Sequence, residues 1–96
     1  MTEKIKVGDC FKSKVFGGYE YASIVYDSGS GMYRADTVKI TKGGFGAEVN
    51  QHIMHWQFRE CDRISQAEFE KAVDNVINTM QLIRAGNTRN QSRDEI

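Results

Sequence analysis

Ile64-Ser65-Gln66-Ala67-Glu68-Phe69 reads as the start of a helix. The Ser65 hydroxyl can accept from the free amide of Glu68, while the Glu68 carboxylate can reach back to the amide of Ser65. Ile64 and Phe69 stand where a hydrophobic staple would join them. Downstream, Phe69, Val73, Val76, Ile77, Met80 and Ile83 recur at steps of three and four, giving one apolar stripe. Glu70, Asp74, Asn78 and Gln81 take the opposite side. The pattern predicts a helix from residue 66 to about 85. Gly86 stands in place for a C-terminal cap, with Arg84 near the negative end of the dipole. Each large stripe residue, if buried, stabilises by roughly 1.5–3 kcal/mol. Residues 87–96 are polar, charged and aperiodic, and read as a disordered tail.

The chain before this helix has the opposite character. Aromatic and β-branched residues recur between glycine breaks from about residue 5 to 60, which predicts strands. Val7-Gly8-Asp9 turns into a strand from Cys10 to Phe16, and Gly17-Gly18 breaks it. Tyr19 to Asp27 follows, with neither face cleanly polar, as in a strand covered on both sides. Ser28-Gly29-Ser30-Gly31 signals a tight return into Met32 to Thr41. Lys42 to Gly46 reads as a longer loop. Ala47 to Phe58 then alternates through Met54, Trp56 and Phe58, although Ile53 and Trp56 also share a face at helical period.

Ninety-six residues hold one domain, placed at 1–86. The elements describe an α+β fold: a small, strongly curved antiparallel sheet of four to five strands, then one long amphipathic helix. The layout resembles the SH3-like barrels, and that resemblance implies a closed small barrel. It also resembles the small accessory proteins of phages and mobile elements in size and order.

Thirteen basic residues balance thirteen acidic ones, so no global field draws in a polyanion. Met1 to Val7 has no apolar signal-peptide core, and no stretch is long and apolar enough for a membrane span. The expectation is a cytoplasmic protein with reduced thiols at Cys10 and Cys61. His52, His55, Cys10 and Cys61 comprise zinc-ligand types, but there is no Cys-x-x-Cys knuckle, and on a strand the histidines point to opposite faces. No metal or cofactor is expected. Neither thiol is placed for catalysis: Glu60 and Asp62 beside Cys61 oppose thiolate formation, and no Gly-x-Ser-x-Gly elbow exists. A P-loop is absent as well.

Lys42-Gly43-Gly44-Phe45-Gly46-Ala47-Glu48-Val49 resembles the basic-Gly-aromatic-Gly-aromatic pattern of RNA-recognition and cold-shock strands. It departs in an extra glycine before Phe45, in Ala47 at the second stacking position, and in the anion Glu48. That resemblance implies base stacking on Phe45 and the tyrosines, with phosphates met by Lys4, Lys6, Lys12, Lys14, Lys39 and Lys42. Acidic Glu3, Asp9, Glu20, Asp27, Asp36 and Glu48 are interspersed among these lysines.

The aromatics exceed what one small core can hold. Tyrosine supplies rigid area with a polar tip, which suits interfaces and also suits the outer face of a sheet. The expectation is a non-enzymatic module that binds another protein, as an inhibitor of a host factor would. The working surface is expected at Tyr19, Tyr21, Tyr33, Lys42 and Phe45, with self-association left open and nucleic acid the alternative partner.

The helix reading is tested by two variants in thermal melts. Ser65→Ala should lose about 0.5–2 kcal/mol with the cap. Val76→Asp should lose far more, because it buries an unpaired charge.

Overall fold

The computed structural model describes residues 4–94, and for Trp56 and residues 87–94 the backbone alone. Strand β1 is Cys10–Val15, β2 Gly18–Asp27, β3 Met32–Thr41 and β4 Gly44–Met54. A single 3-10 turn, His55–Phe58, leads to β5, Asp62–Ile64, and then to helix α1, Gln66–Asp94. All strand pairings are antiparallel, in the order β4-β3-β2-β1-β5. The sheet is open, with β4 and β5 as its edges, and does not close into a barrel. Closure would need those edges to pair, but β5 has only three residues and pairs with β1 alone.

Two irregularities bend the sheet. In β2 the register slips between Ile24 and Tyr26; in β4, Val49 and Asn50 together face Asp36 of β3. Asn50 adopts φ +57° and donates its N–H to Asp36 Oδ1 at 3.1 Å. Such bulges increase local twist and curvature. The β2–β3 return is fixed by Gly29 and Gly31 at φ +83° and +89°, with Gly29 N–H donated to Asp27 Oδ1 at 2.8 Å.

Strand alternation separates two layers. On one face Ile5, Phe11, Ala22, Ile24, Tyr33, Ala35 and Phe58 form the core, with Ile53 and Cys61 packed on it. Phe58 sits 4.7 Å from the Phe11 ring and 5.7 Å, edge-on, from Tyr33. Lys12, next to Phe11 and therefore on the other face, pairs with helix residue Glu68 at 3.6 Å. The helix thus packs on the side opposite the aromatic core.

The helix start follows the sequence in half of its detail. Ser65 Oγ accepts from Glu68 N–H at 3.1 Å. The Glu68 carboxylate is turned to Lys12, however, rather than back to the Ser65 amide. The helix end differs from expectation. It passes through Gly86 without a cap and carries residues 87–94, read from composition as a disordered tail, as helical backbone; Glu95 and Ile96 lie outside the described residues.

The apolar stripe is covered only in its first half. Ala72 and Val76 are buried and Phe69 and Val73 half-buried, while Ile77, Met80 and Ile83 are 45, 56 and 52% exposed. A 29-residue helix is roughly 43 Å long at 1.5 Å per residue, and the sheet supports only its beginning. The molecule accordingly measures 64 × 23 × 21 Å, with a radius of gyration of 16.7 Å. A compact chain of this length would have about 12.5 Å.

Two other segments refine the sequence reading. Ala47–Phe58 divides into strand up to Met54 and 3-10 turn afterwards, so both expected periods are present in succession. The Lys42–Gly46 loop is instead a two-residue turn, Lys42-Gly43, because Thr41 pairs with Gly44 and Ile40 with Phe45.

Gly18 is the tightest approach in the sheet: a Cβ there would overlap the Ile40 carbonyl. Gly18→Ala should therefore destabilise by about 1–3 kcal/mol as an overpacking change. Gly46→Ala, which meets open space, should leave the denaturation midpoint unchanged or raised. Equal midpoints for the two variants would contradict the register.

Candidate functional site

Two hairpin turns lie side by side at one end of the sheet. Phe16-Gly17 joins β1 to β2 and Lys42-Gly43 joins β3 to β4, and Lys42 N–H donates to Gly17 O at 3.2 Å. Val15 pairs with Gly18, so Phe16 stands at the tip with no cross-strand partner. Its side chain is fully exposed, at 102%. From sequence Phe16 belongs to the strand that begins at Cys10, whereas β1 ends at Val15. The signal that marks it as a tip is its position before Gly17-Gly18, which closes the turn around it.

Behind the tip, on the helix side, Tyr19 and Tyr21 lie with ring centroids 6.5 Å apart. The Lys12 ammonium lies 4.4 Å from the Tyr19 centroid and 5.9 Å from that of Tyr21, while Glu68 holds it from the helix. This fixes the Tyr19 ring while leaving it 41% exposed, and a cation over an aromatic face contributes about 0.5–1 kcal/mol at such a site. Phe45, 38% exposed, faces a crevice of about 250 Å³ shared by Ile40, the Lys42-Gly43 turn and helix residues Asn75, Val76 and Thr79. It is a strand residue paired with Ile40, not part of the longer loop expected at Lys42 to Gly46.

Of the five residues singled out from sequence, four come together here: Tyr19, Tyr21, Lys42 and Phe45. Tyr33 does not. Register places it with Ala35 on the opposite face, 7% exposed in the aromatic core. Burial, aided by the charge of Asp27, pushes its phenol above the ordinary tyrosine range. Tyr33 is a packing residue.

A second concavity of about 280 Å³ lies on the core face, between the sheet and the 3-10 turn. Its floor is Phe11, Ala22, Ile53 and Phe58, with Glu20, Glu60 and Cys61 among its walls. The Thr37 hydroxyl, buried, donates to Gln51 Oε1 at 3.0 Å beside it. Cys61 Sγ lies 3.4 Å from Gln57 O. Burial pushes this thiol up, a hydrogen bond with Ser13 acts against the shift, and Glu20, Asp62 and Glu60 add to it. The thiol is thus held neutral, the wrong state for a nucleophile. Cys10 is buried in β1 with Sγ 3.6 Å from Gly8 O. His52 lies in β4 opposite Arg34, and His55 opens the 3-10 turn near Tyr33. Among the described residues no group of three His, Cys, Asp or Glu is placed to hold a metal ion. No described helix is long and apolar enough to cross a membrane.

No family model, curated protein or solved structure matches this chain.

The electrostatics of Cys61 can be read by alkylation in a Cys10→Ala protein. Its reaction with iodoacetamide should stay slow at neutral pH and rise with a midpoint above that of a free thiol, about 8.5. The folded-state pKa is raised, so the neutral thiol contributes its full stability below the unfolded-state value. That contribution is lost as pH rises through the folded one. A midpoint below the free-thiol value would overturn the assignment.

Proposed function

We propose that this chain is a non-enzymatic binding module that docks another protein on the turn end of its sheet, with Phe16 as the central anchor. The observation carrying this reading is the full exposure of the Phe16 ring on a two-residue turn that is hydrogen-bonded to its neighbour through Lys42 N–H and Gly17 O. A large apolar side chain held in water is unfavourable unless something covers it, and aromatic anchors of this kind dominate interface energetics. Tyr19 and Phe45 extend the apolar area, and Lys12 and Lys42 supply a polar rim, the usual anatomy of a protein contact. The zero net charge favours a protein over nucleic acid, because phosphate binding depends on accumulated positive charge. In this reading the module acts in the cytoplasm by occupying a partner's surface, as a phage-encoded inhibitor of a host factor would.

Photo-crosslinking tests the reading. Benzoylphenylalanine at position 16 should capture one discrete protein from the host lysate, and the same group at Glu48 should not. Phe16→Ala should then weaken binding to the isolated partner by about 2 kcal/mol or more, as at a hot spot, with the melting temperature unchanged. Unaltered affinity would refute the anchor. Capture of single-stranded nucleic acid with a steep salt dependence would replace the protein partner with the stacking reading.

A further inference from the structure

The overhanging half of α1 has its own pattern. Between Asp74 and Arg84 lie Asn75, Val76, Ile77, Asn78, Thr79, Met80, Gln81, Leu82 and Ile83, nine residues without a charge. This is also where the helix leaves the sheet, with Ile77, Met80 and Ile83 about half exposed. A neutral apolar stripe on a projecting helix needs a second apolar surface against it.

The charges that bracket the stripe identify that surface. Asp74 and Arg84 stand at equal distances, five residues, from Thr79. If two copies of the helix pack antiparallel about this midpoint, Asp74 of each copy falls beside Arg84 of the other. Parallel packing would set Asp against Asp and Arg against Arg, which is destabilising. At the helical period Val73, Ile77, Met80 and Arg84 share one line. With the twofold axis half a residue away, between Asn78 and Thr79, Ile77 of one copy lies on Met80 of the other and Asp74 stays within one residue of Arg84. The apolar stem of Arg84 then lies over Val73 of the other copy, and its guanidinium reaches Asp74. Everything the arrangement needs is supplied twice by a twofold axis, as an isologous contact requires. We infer that the protein forms a homodimer through an antiparallel pairing of residues 73–84 of α1. The Phe16 end of the sheet is not part of this contact.

The test uses the full chain. Sedimentation equilibrium from about 1 to 100 µM should give a species approaching twice the 10.9 kDa monomer mass. Met80→Glu should raise the dissociation constant at least tenfold while leaving the circular dichroism spectrum and the monomer fold intact, since Met80 is more than half exposed. Asp74→Arg should weaken association, and Asp74→Arg with Arg84→Asp should restore it, a rescue that a parallel pair cannot show. Phe16→Ala should leave self-association unchanged, which separates this contact from the docking end. A wild-type monomer at 100 µM, or a dimer indifferent to Met80→Glu, would overturn the proposal. Loss by Asp74→Arg without rescue would overturn the antiparallel arrangement.

Discussion

The structure depends on one crossing. After β4 the chain stands at one edge of the sheet, and β5 must form at the other, on the far side of β3, β2 and β1. With strands about 4.8 Å apart, four spacings amount to roughly 19 Å, covered by His55–Cys61. Phe58 anchors this crossing by packing its ring against Phe11 of β1 and Tyr33 of β3. Once Phe58 is seated, Cys61 N–H can donate to Phe58 O, and Asp62–Ile64 can join β1. Ser65 then caps the helix one residue past the edge strand. The helix, launched from that edge, takes the face left free by the crossing. An aromatic cluster on one side thus determines what can pack on the other.

The two layers divide the labour. The crossing side is densely aromatic, holds the buried Thr37–Gln51 hydrogen bond and encloses Cys61 as a neutral thiol. The helix side is loosely covered, and its polar contacts, such as Lys12 with Glu68 and Tyr19, are half exposed. Surface ion pairs of this kind contribute little to stability, so their effect is to hold side chains in place. Exposed apolar surface is therefore prominent at the paired turns and along the projecting helix.

Much of this was legible in the residues. Ser65 followed by Glu68 located the helix start to the residue, and Ser28-Gly29-Ser30-Gly31 located the β2–β3 turn, because both are local backbone chemistry. What failed was long-range. Tyr33 looks like Tyr19 and Tyr21 in composition, but the parity of its position in β3 sends it to the core face. The glycines around Phe45 read as a loop, but the Ile40–Phe45 pairing makes Phe45 a strand residue. Gly86 carries the local mark of a cap, yet the helix continues through it to Asp94. The periodicity of the stripe correctly marked one helical face. It carried no information about how far the sheet would extend beneath it, so the exposure of Ile77, Met80 and Ile83 was invisible. The same holds for closure: strand count and turn spacing are alike in an open sheet and a barrel.

The bulge in β4 has a bearing on what the sheet edge offers to another chain. β4 is eleven residues long, exposed along most of its length, and forms an outer edge. A straight edge of that length is a template on which further chains can add by backbone pairing, the first step of fibre growth. At Val49-Asn50 the regular spacing of donors is broken, and the Asn50 N–H is turned to the carboxylate of Asp36 inside the sheet. An incoming strand finds two short runs out of phase with each other, neither long enough to nucleate stacking. The Asp36 carboxylate thus helps hold the break that shortens the straight run of the β4 edge.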